Sequence, residues 1–261
     1  EVLQKDGSYL NLSGNQIGAI MAKYILEAHK NAGTLPENAA LCKSIVSTDL
    51  VTKIAESYGA TMFNVLTGFK FIAEKIQEFE EKHNHTYMMG FEESFGYLIK
   101  PFVRDKDAIQ AVLVVAELAA YYRSRGLTLA DGIEEIYKEY GYYAEKTISV
   151  TLSGVDGAEQ IKAIMAKFRN NAPKEWNTTA ITVVEDFKAQ TATAADGTVT
   201  NLTTPPSDVL KYTLADGSWI AVRPSGTEPK IKFYIAVVGE SNEDSQAKIA
   251  NIEAEINAFV K

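Results

Sequence analysis

Between Leu41 and Glu92 the sequence alternates short apolar runs with longer amphipathic ones: LCKSIVS, LVTKIAESY, ATMFNVL, FKFIAEKIQEFEEK and TYMMGF. The short runs suit strands, and the longer ones carry the 3.6-residue period of helices. Parallel strands need a crossover connection, usually a helix. This order therefore predicts a doubly wound, mostly parallel sheet, whose functional groups gather in loops after strand C-termini. A long helix is expected from about Asp107 to Arg125. Its run AVLVVAELAAYY is apolar on most sides, which predicts a well-buried helix. A second helix, LTLADGIEEIYKEYG, closes this α/β unit. Upstream, Asp6-Gly7 reads as a hairpin turn. Ser13 to Gln16 has capping-box spacing ahead of a helix with Ile17, Ile20, Met21, Tyr24 and Ile25 on one face.

Around Gly141 to Glu145 the grammar changes. A strand (KTISVTL), a helix (AEQIKAIMAKFRN), several strands turning at Asp196-Gly197 and Asp216-Gly217, and a final helix from about Asn242 to Val260 follow. The stretch AQTATAADGTVTNLTTPPSD reads as a hairpin plus loop. Helices on an antiparallel sheet make this a smaller α+β domain. The 261 residues carry a net charge of −8 and no basic stripe, which argues against a nucleic-acid partner. No apolar run approaches the roughly 20 residues that span a bilayer. The single cysteine, Cys42, excludes an intrachain disulfide and reads as a small buried hydrophobe. His29, His83 and His85 lie in polar stretches at helix ends and read as surface residues. No spacing resembles a zinc site or an aspartate loop for magnesium. The chain begins at Glu1, in what reads as the middle of a strand, and is expected to be a fragment.

Three segments invite chemistry. In RPSGTEPKIKFY, Arg223 to Lys232 carry three cations and one acid, against the balance of the whole chain. Arg223 can hold a phosphate through two parallel hydrogen bonds. Ser225 and Thr227 add hydroxyls, and Gly226 permits backbone conformations other residues resist. On the next strand Ile231, Phe233 and Ile235 should face the core, with Lys230 and Lys232 presented opposite. The alternative is a hairpin with a solvated, charged tip. In GFEESFGYL, Glu92 and Ser94 share a side if strand geometry persists, and together they suit vicinal sugar hydroxyls. The alternative is a helix N-terminus with Glu93 as its dipole partner. Third, TGFKF opens a helix and so offers an anion site, while RDKDA opens the long helix. Lys70 and Lys106 are their candidate side chains.

Taken in order, SGNQIGA, TGFKF, GFEESFGY, RDKDA and RPSGTEPK resemble the α-D-phosphohexomutases, nearest to the phosphoglucomutase/phosphomannomutase group, over essentially the whole chain. The resemblance implies residues 1–14 as the tail of a preceding domain, 15–141 as the sugar-binding third domain and 142–261 as the phosphate-binding fourth. It implies Glu92 and Ser94 on the sugar, Thr67, Gly68 and, more weakly, Lys70 lining the cleft, and Lys106 near the reacting oxygen. It implies Arg223, Ser225, Gly226 and Thr227, with Lys232 as a weaker member, on the non-transferred phosphate. The activity implied is interconversion of hexose 1-phosphate and hexose 6-phosphate through a phosphoserine and a bisphosphate, in the cytoplasm, with the E-E-S-F-G form pointing to glucose. Neither the phosphoserine loop nor the D-x-D-x-D-R magnesium loop is present here. The chain is therefore expected to be inactive alone, to bind no magnesium itself, and to work with its own N-terminal domains on a hexose phosphate, with no nucleic-acid or membrane partner. The alternatives are a stand-alone sugar-phosphate-binding module, or a phosphomannomutase or phosphopentomutase of the same family.

Overall fold

The computed structural model describes residues 1–152, 156–226 and 228–260. They form two units, Glu1–Gly141 and Tyr142–Lys261. In the first, β1 (Val2–Leu3) and β2 (Tyr9–Leu10) make the expected small hairpin. Helix α1 (Gly14–Asn31) starts at a capping box in which Ser13 and Gln16 satisfy each other's backbone N–H groups. There follow β3 (Ala39–Ser44), α2 (Leu50–Ser57), β4 (Thr61–Val65), α3 (Phe69–Lys82), β5 (Thr86–Glu92), β6 (Gly96–Leu98), α4 (Ala108–Ser124) and α5 (Leu129–Tyr140).

The sheet runs β4-β3-β5-β6. The first three strands are parallel and β6 is antiparallel, so the mostly parallel reading holds. Successive residues of a strand point to opposite faces, and β5 shows which helix takes which. A Cβ at Gly90 would lie 2.7 Å from Ile72 of α3, while the neighbouring Phe91 ring lies 2.6 Å from where a Cβ at Gly18 of α1 would be. Thus α3 and α1 cover opposite faces, and glycine permits each close approach. On the α3 side, Ala40, Cys42, Val65, Phe69, Ile72, Ile76, Phe79 and Leu98 form one buried cluster. Burial pushes the Cys42 thiol up to about 12, so it is inert packing, as its setting predicts.

Two expectations about burial fail in this unit. Helix α4 is not buried on most sides: only Ala111, Leu118 and Tyr122 are, while Ile109, Val112 and Leu113 are 83%, 69% and 68% exposed. One helix can turn only one face to its own sheet, and within this unit nothing covers the other. His85 is not in polar surroundings. Its ring packs edge-on to Phe63 and Phe79, with centroids 4.9 and 5.2 Å away.

The second unit contains β7 (Tyr142–Thr151), α6 (Gly157–Asn171), β8 (Glu175–Trp176), β9 (Thr179–Asp186), β10 (Thr191–Ala194), β11 (Val199–Asn201), β12 (Leu210–Leu214), β13 (Trp219–Pro224), β14 (Lys230–Gly239) and α7 (Asn242–Val260). Its sheet runs β11-β10-β9-β12-β13-β14-β7, with β8 on β9. Every pairing is antiparallel. Apolar residues of α6 and α7, among them Phe168 and Ile252, pack with Tyr212, Val222, Ile231 and Phe233 of the sheet. This is the expected α+β architecture. Among the described residues no helix is long and apolar enough to cross a membrane.

Candidate functional site

Strand β5 delivers Glu92 to the C-terminal end of the parallel sheet, where residues 93–95 form a turn and Glu92 pairs with Gly96 of β6. Strand alternation therefore stops at Glu92. The expectation that Ser94 shares its side by strand geometry fails: Glu92 is buried, and Ser94 is exposed on the turn. The Glu92 carboxylate accepts the Gly68 N–H at 2.6 Å through Oε1. Gly68 is the N-cap of α3, with φ 123°, ψ 123° and no side-chain cap. At that φ a residue other than glycine is strained. At the helix start where TGFKF was expected to offer an anion site, the chain's own Glu92 carboxylate takes the Gly68 N–H. Beside it, the Thr67 hydroxyl is buried without a hydrogen-bond partner among the described residues.

Lys106 reaches the same place from a third segment. Asp107 caps α4 by accepting the N–H groups of Ile109 and Gln110, and its own N–H donates to Tyr97 O at 2.9 Å. This ties the start of α4 to β6. The Lys106 stem crosses Gly96: a Cβ there would lie 2.6 Å from Lys106 Cδ and 3.6 Å from Glu92 Oε2. The Lys106 ammonium stands 5.3 Å from the Phe69 ring centroid and 3.1 Å from Asp105. The structure thus gathers Thr67, Gly68, Glu92 and Lys106 around Gly96. Lys70 is not gathered in. Its ammonium lies over Phe71 on its own helix, 4.7 Å from the centroid.

The sequence reading missed Glu93. It is not a helix dipole partner. Its carboxyl turns inward to the Ser44 and Ser47 hydroxyls, 3.1 and 3.3 Å away. Burial, opposed by these hydrogen bonds, holds its pKa above the usual carboxylate range. The signal was in the sequence only as a pair of serines in KSIVS, with nothing to connect them to Glu93.

In the second unit β13 and β14 form the expected hairpin, with Arg223 directly opposite Lys232. Ser225 N–H donates to Lys230 O at 2.8 Å. The Ser225 hydroxyl accepts the Glu228 N–H at 3.3 Å, so it also shapes the loop. Lys230 is engaged by Glu228 at 3.0 Å, which leaves Arg223 and Lys232 as cations without an ion pair among the described residues. The face expected to present lysines is apolar further along, since Tyr234 and Ala236 are buried. Gly226 does not use glycine's conformational freedom, because its φ is not positive. It is exposed, and a Cβ there would meet open space. Thr227 lies outside the described residues.

Comparison with known proteins fits both units. The phosphoglucomutase/phosphomannomutase alpha/beta/alpha domain III matches residues 13–140, and the C-terminal domain of the same enzymes matches residues 156–258. Phosphoglucomutases of Staphylococcus aureus (strain bovine RF122 / ET3-1) and Staphylococcus haemolyticus (strain JCSC1435) are 37% and 36% identical, over 93% and 94% of this chain. The chain spans only 43% and 44% of those relatives. The open form of parafusin, a phosphoglucomutase from Paramecium, superposes with a TM-score of 0.63 at 19% identity, covering 97% of this chain and 42% of its own. A structure described as a phosphomannomutase from Thermus thermophilus gives 0.58 at 16%, covering 94% and 41%. At those identities the likeness is one of fold. With both domain models matched in order and the sequence relatives alongside, the chain belongs to the phosphoglucomutase/phosphomannomutase family of α-D-phosphohexomutases and corresponds to its domain III and C-terminal domain.

Proposed function

We propose that this chain is the substrate-recognising part of a sugar-phosphate mutase that interconverts hexose 1-phosphate and hexose 6-phosphate, with glucose as the sugar. The observation that carries this reading is the convergence of Glu92, Gly68 and Lys106, from three separate segments, at the C-terminal end of the parallel sheet. A carboxylate fixed by a backbone amide, with the exposed Ser94 hydroxyl two residues on, can hydrogen-bond neighbouring sugar hydroxyls. The Lys106 ammonium adds a charge that can stabilise a departing or attacking oxygen. Arg223, Ser225, Gly226, Thr227 and Lys232 are assigned to the phosphate that is not transferred, and Lys70, whose ammonium lies over Phe71, is assigned only to the margin of the sugar site. Phosphoryl transfer depends chiefly on positioning and charge stabilisation, and these groups supply both.

The nucleophilic serine and the divalent ion belong, in this reading, to chain that the relatives carry beyond the matched region. Among the described residues no group of three or more His, Cys, Asp or Glu side chains could hold a metal ion. No step here passes through the ion. The bare apolar face of α4 supports a partner of this kind, since a helix apolar on most sides is ordinarily covered.

The test is a calorimetric titration of this chain with glucose 6-phosphate, beside Arg223→Ala. A charge-assisted hydrogen bond contributes about 1.5–3 kcal/mol, so the substitution should weaken binding by about tenfold or more. Equal affinity in both proteins would remove Arg223 from the phosphate site.

A further inference from the structure

Burying polar groups is costly unless they are paired, and the first unit concentrates its own beneath one turn. Its buried polar residues are Asn15, Lys43, Ser44, Ser47, Thr48 and Glu92. Glu93 sits on this bed and is gripped twice. Its carboxylate Oε2 faces both serine hydroxyls, and its N–H donates to Ser47 Oγ at 3.1 Å. The two hydroxyls are themselves 2.8 Å apart. Below them the fully buried Lys43 ammonium donates to Ser47 O at 3.1 Å and pairs with Asp49 at 2.8 Å. Asn15 accepts the Thr48 N–H at 3.1 Å. From above, α1 presses directly on the turn: a Cβ at Gly14 would lie 2.0 Å from Glu93 O. Tyr97 closes the group by donating to Gly14 O at 2.8 Å. An apolar side chain would fill the space under the turn without the cost of burying a carboxyl. What the network adds is a single conformation.

We propose that Glu93 is a positioning residue: clamped on Ser44 and Ser47, it locks the turn that holds Glu92 against Gly68 and leaves Ser94 facing outward to the substrate. The sugar-facing part of this rests on the mutase reading, whereas the locking of Glu92 does not. The Gly68 N–H, bonded to Glu92, is a local reporter of that lock. Loss of the clamp frees the turn, so Glu92 leaves Gly68 part of the time.

The experiment uses the whole chain, labelled with nitrogen-15, as wild type, Glu93→Ala and Glu93→Gln. In Glu93→Ala the Gly68 amide should shift and exchange with solvent about tenfold faster, as expected for one lost hydrogen bond, while the amides of β4 keep their protection. Glucose 6-phosphate should bind about tenfold more weakly. Glu93→Gln keeps an acceptor for both serines and should restore both readings. If Glu93→Ala does not fold, the Ser44→Ala/Ser47→Ala pair is read in the same way. An unmoved Gly68 amide in the clamp-less variant overturns the proposal, and so does a Glu93→Gln variant no better than Glu93→Ala. A wild-type chain that does not bind glucose 6-phosphate removes the sugar role and leaves the Gly68 result to decide the lock. Binding by wild type with Gly68 unmoved in Glu93→Ala removes the lock alone.

Discussion

Glu92 and Glu93 are the same side chain at adjacent positions, and only their partners separate their tasks. Glu92 meets a backbone amide at a helix start, while Glu93 meets two neutral hydroxyls in a buried bed. The raised pKa of Glu93 makes stability depend on pH. Its native value lies above the ordinary 4.5, chiefly because burial disfavours the charge. A group with a raised native pKa binds its proton more tightly in the folded state. Its contribution is fully present below 4.5 and is lost as pH rises through the higher native value. Glu93→Gln has no such proton to lose. Its unfolding free energy relative to wild type should therefore rise as pH increases through the window just above 4.5, by at most about 1.4 kcal/mol for each pH unit crossed, and then level off. Urea midpoints of the two proteins at successive pH values give the difference, and parallel curves across the window would count against the buried carboxyl. Glu92 could be read from its motif because its neighbours in sequence carry the signal. Glu93 could not, because Ser44 and Ser47 lie 49 and 46 residues away and only the fold brings them together.

Helix α4 shows the same division at the scale of an element. Its limits were legible: the run from Asp107 to Arg125 is observed as Ala108–Ser124 with Asp107 as its cap. What covers it was not legible. A sequence apolar on most sides predicts that the helix is covered, but not which surface meets it. Strand β6 was missed for a related reason, because three residues after a turn carry too little periodicity to announce a strand. The parallel core, by contrast, was readable throughout, since each strand–helix pair repeats the same local pattern. Substitutions on α4 should sort by face. Val112→Lys and Leu113→Lys fall on exposed positions and should change the stability of this chain by no more than about 0.5 kcal/mol. Leu118→Ala, at a position with 0% exposure, should cost about 2–5 kcal/mol. Thermal melts of the three variants give the comparison. A large loss at Val112 or Leu113 would mean that the outer face is already covered in solution.

At the scale of the molecule, every strand ladder closes within one unit, and the second unit joins its first strand to its last through the β7–β14 pair. That unit cannot complete its sheet until both ends of its sequence have met, because the edge strand β7 pairs only with β14, whereas the first builds its sheet from successive strand–helix steps. Two cores assembled in such different ways should respond separately to damage. The protein supplies its own probes, because both tryptophans, Trp176 and Trp219, lie in the second unit. Phe168 is fully buried there, with ring centroids 6.3 Å from Trp176 and 5.7 Å from Phe233. Phe168→Ala should cost that unit about 3–5 kcal/mol. Urea unfolding followed by tryptophan fluorescence should then move to markedly lower denaturant. Far-UV circular dichroism, which also sees the helices of the first unit, should keep a later transition at its original midpoint. If both probes moved together by the same amount, the two units would form one cooperative body, and the clamp beneath the Glu93 turn would have to be understood as part of a larger core.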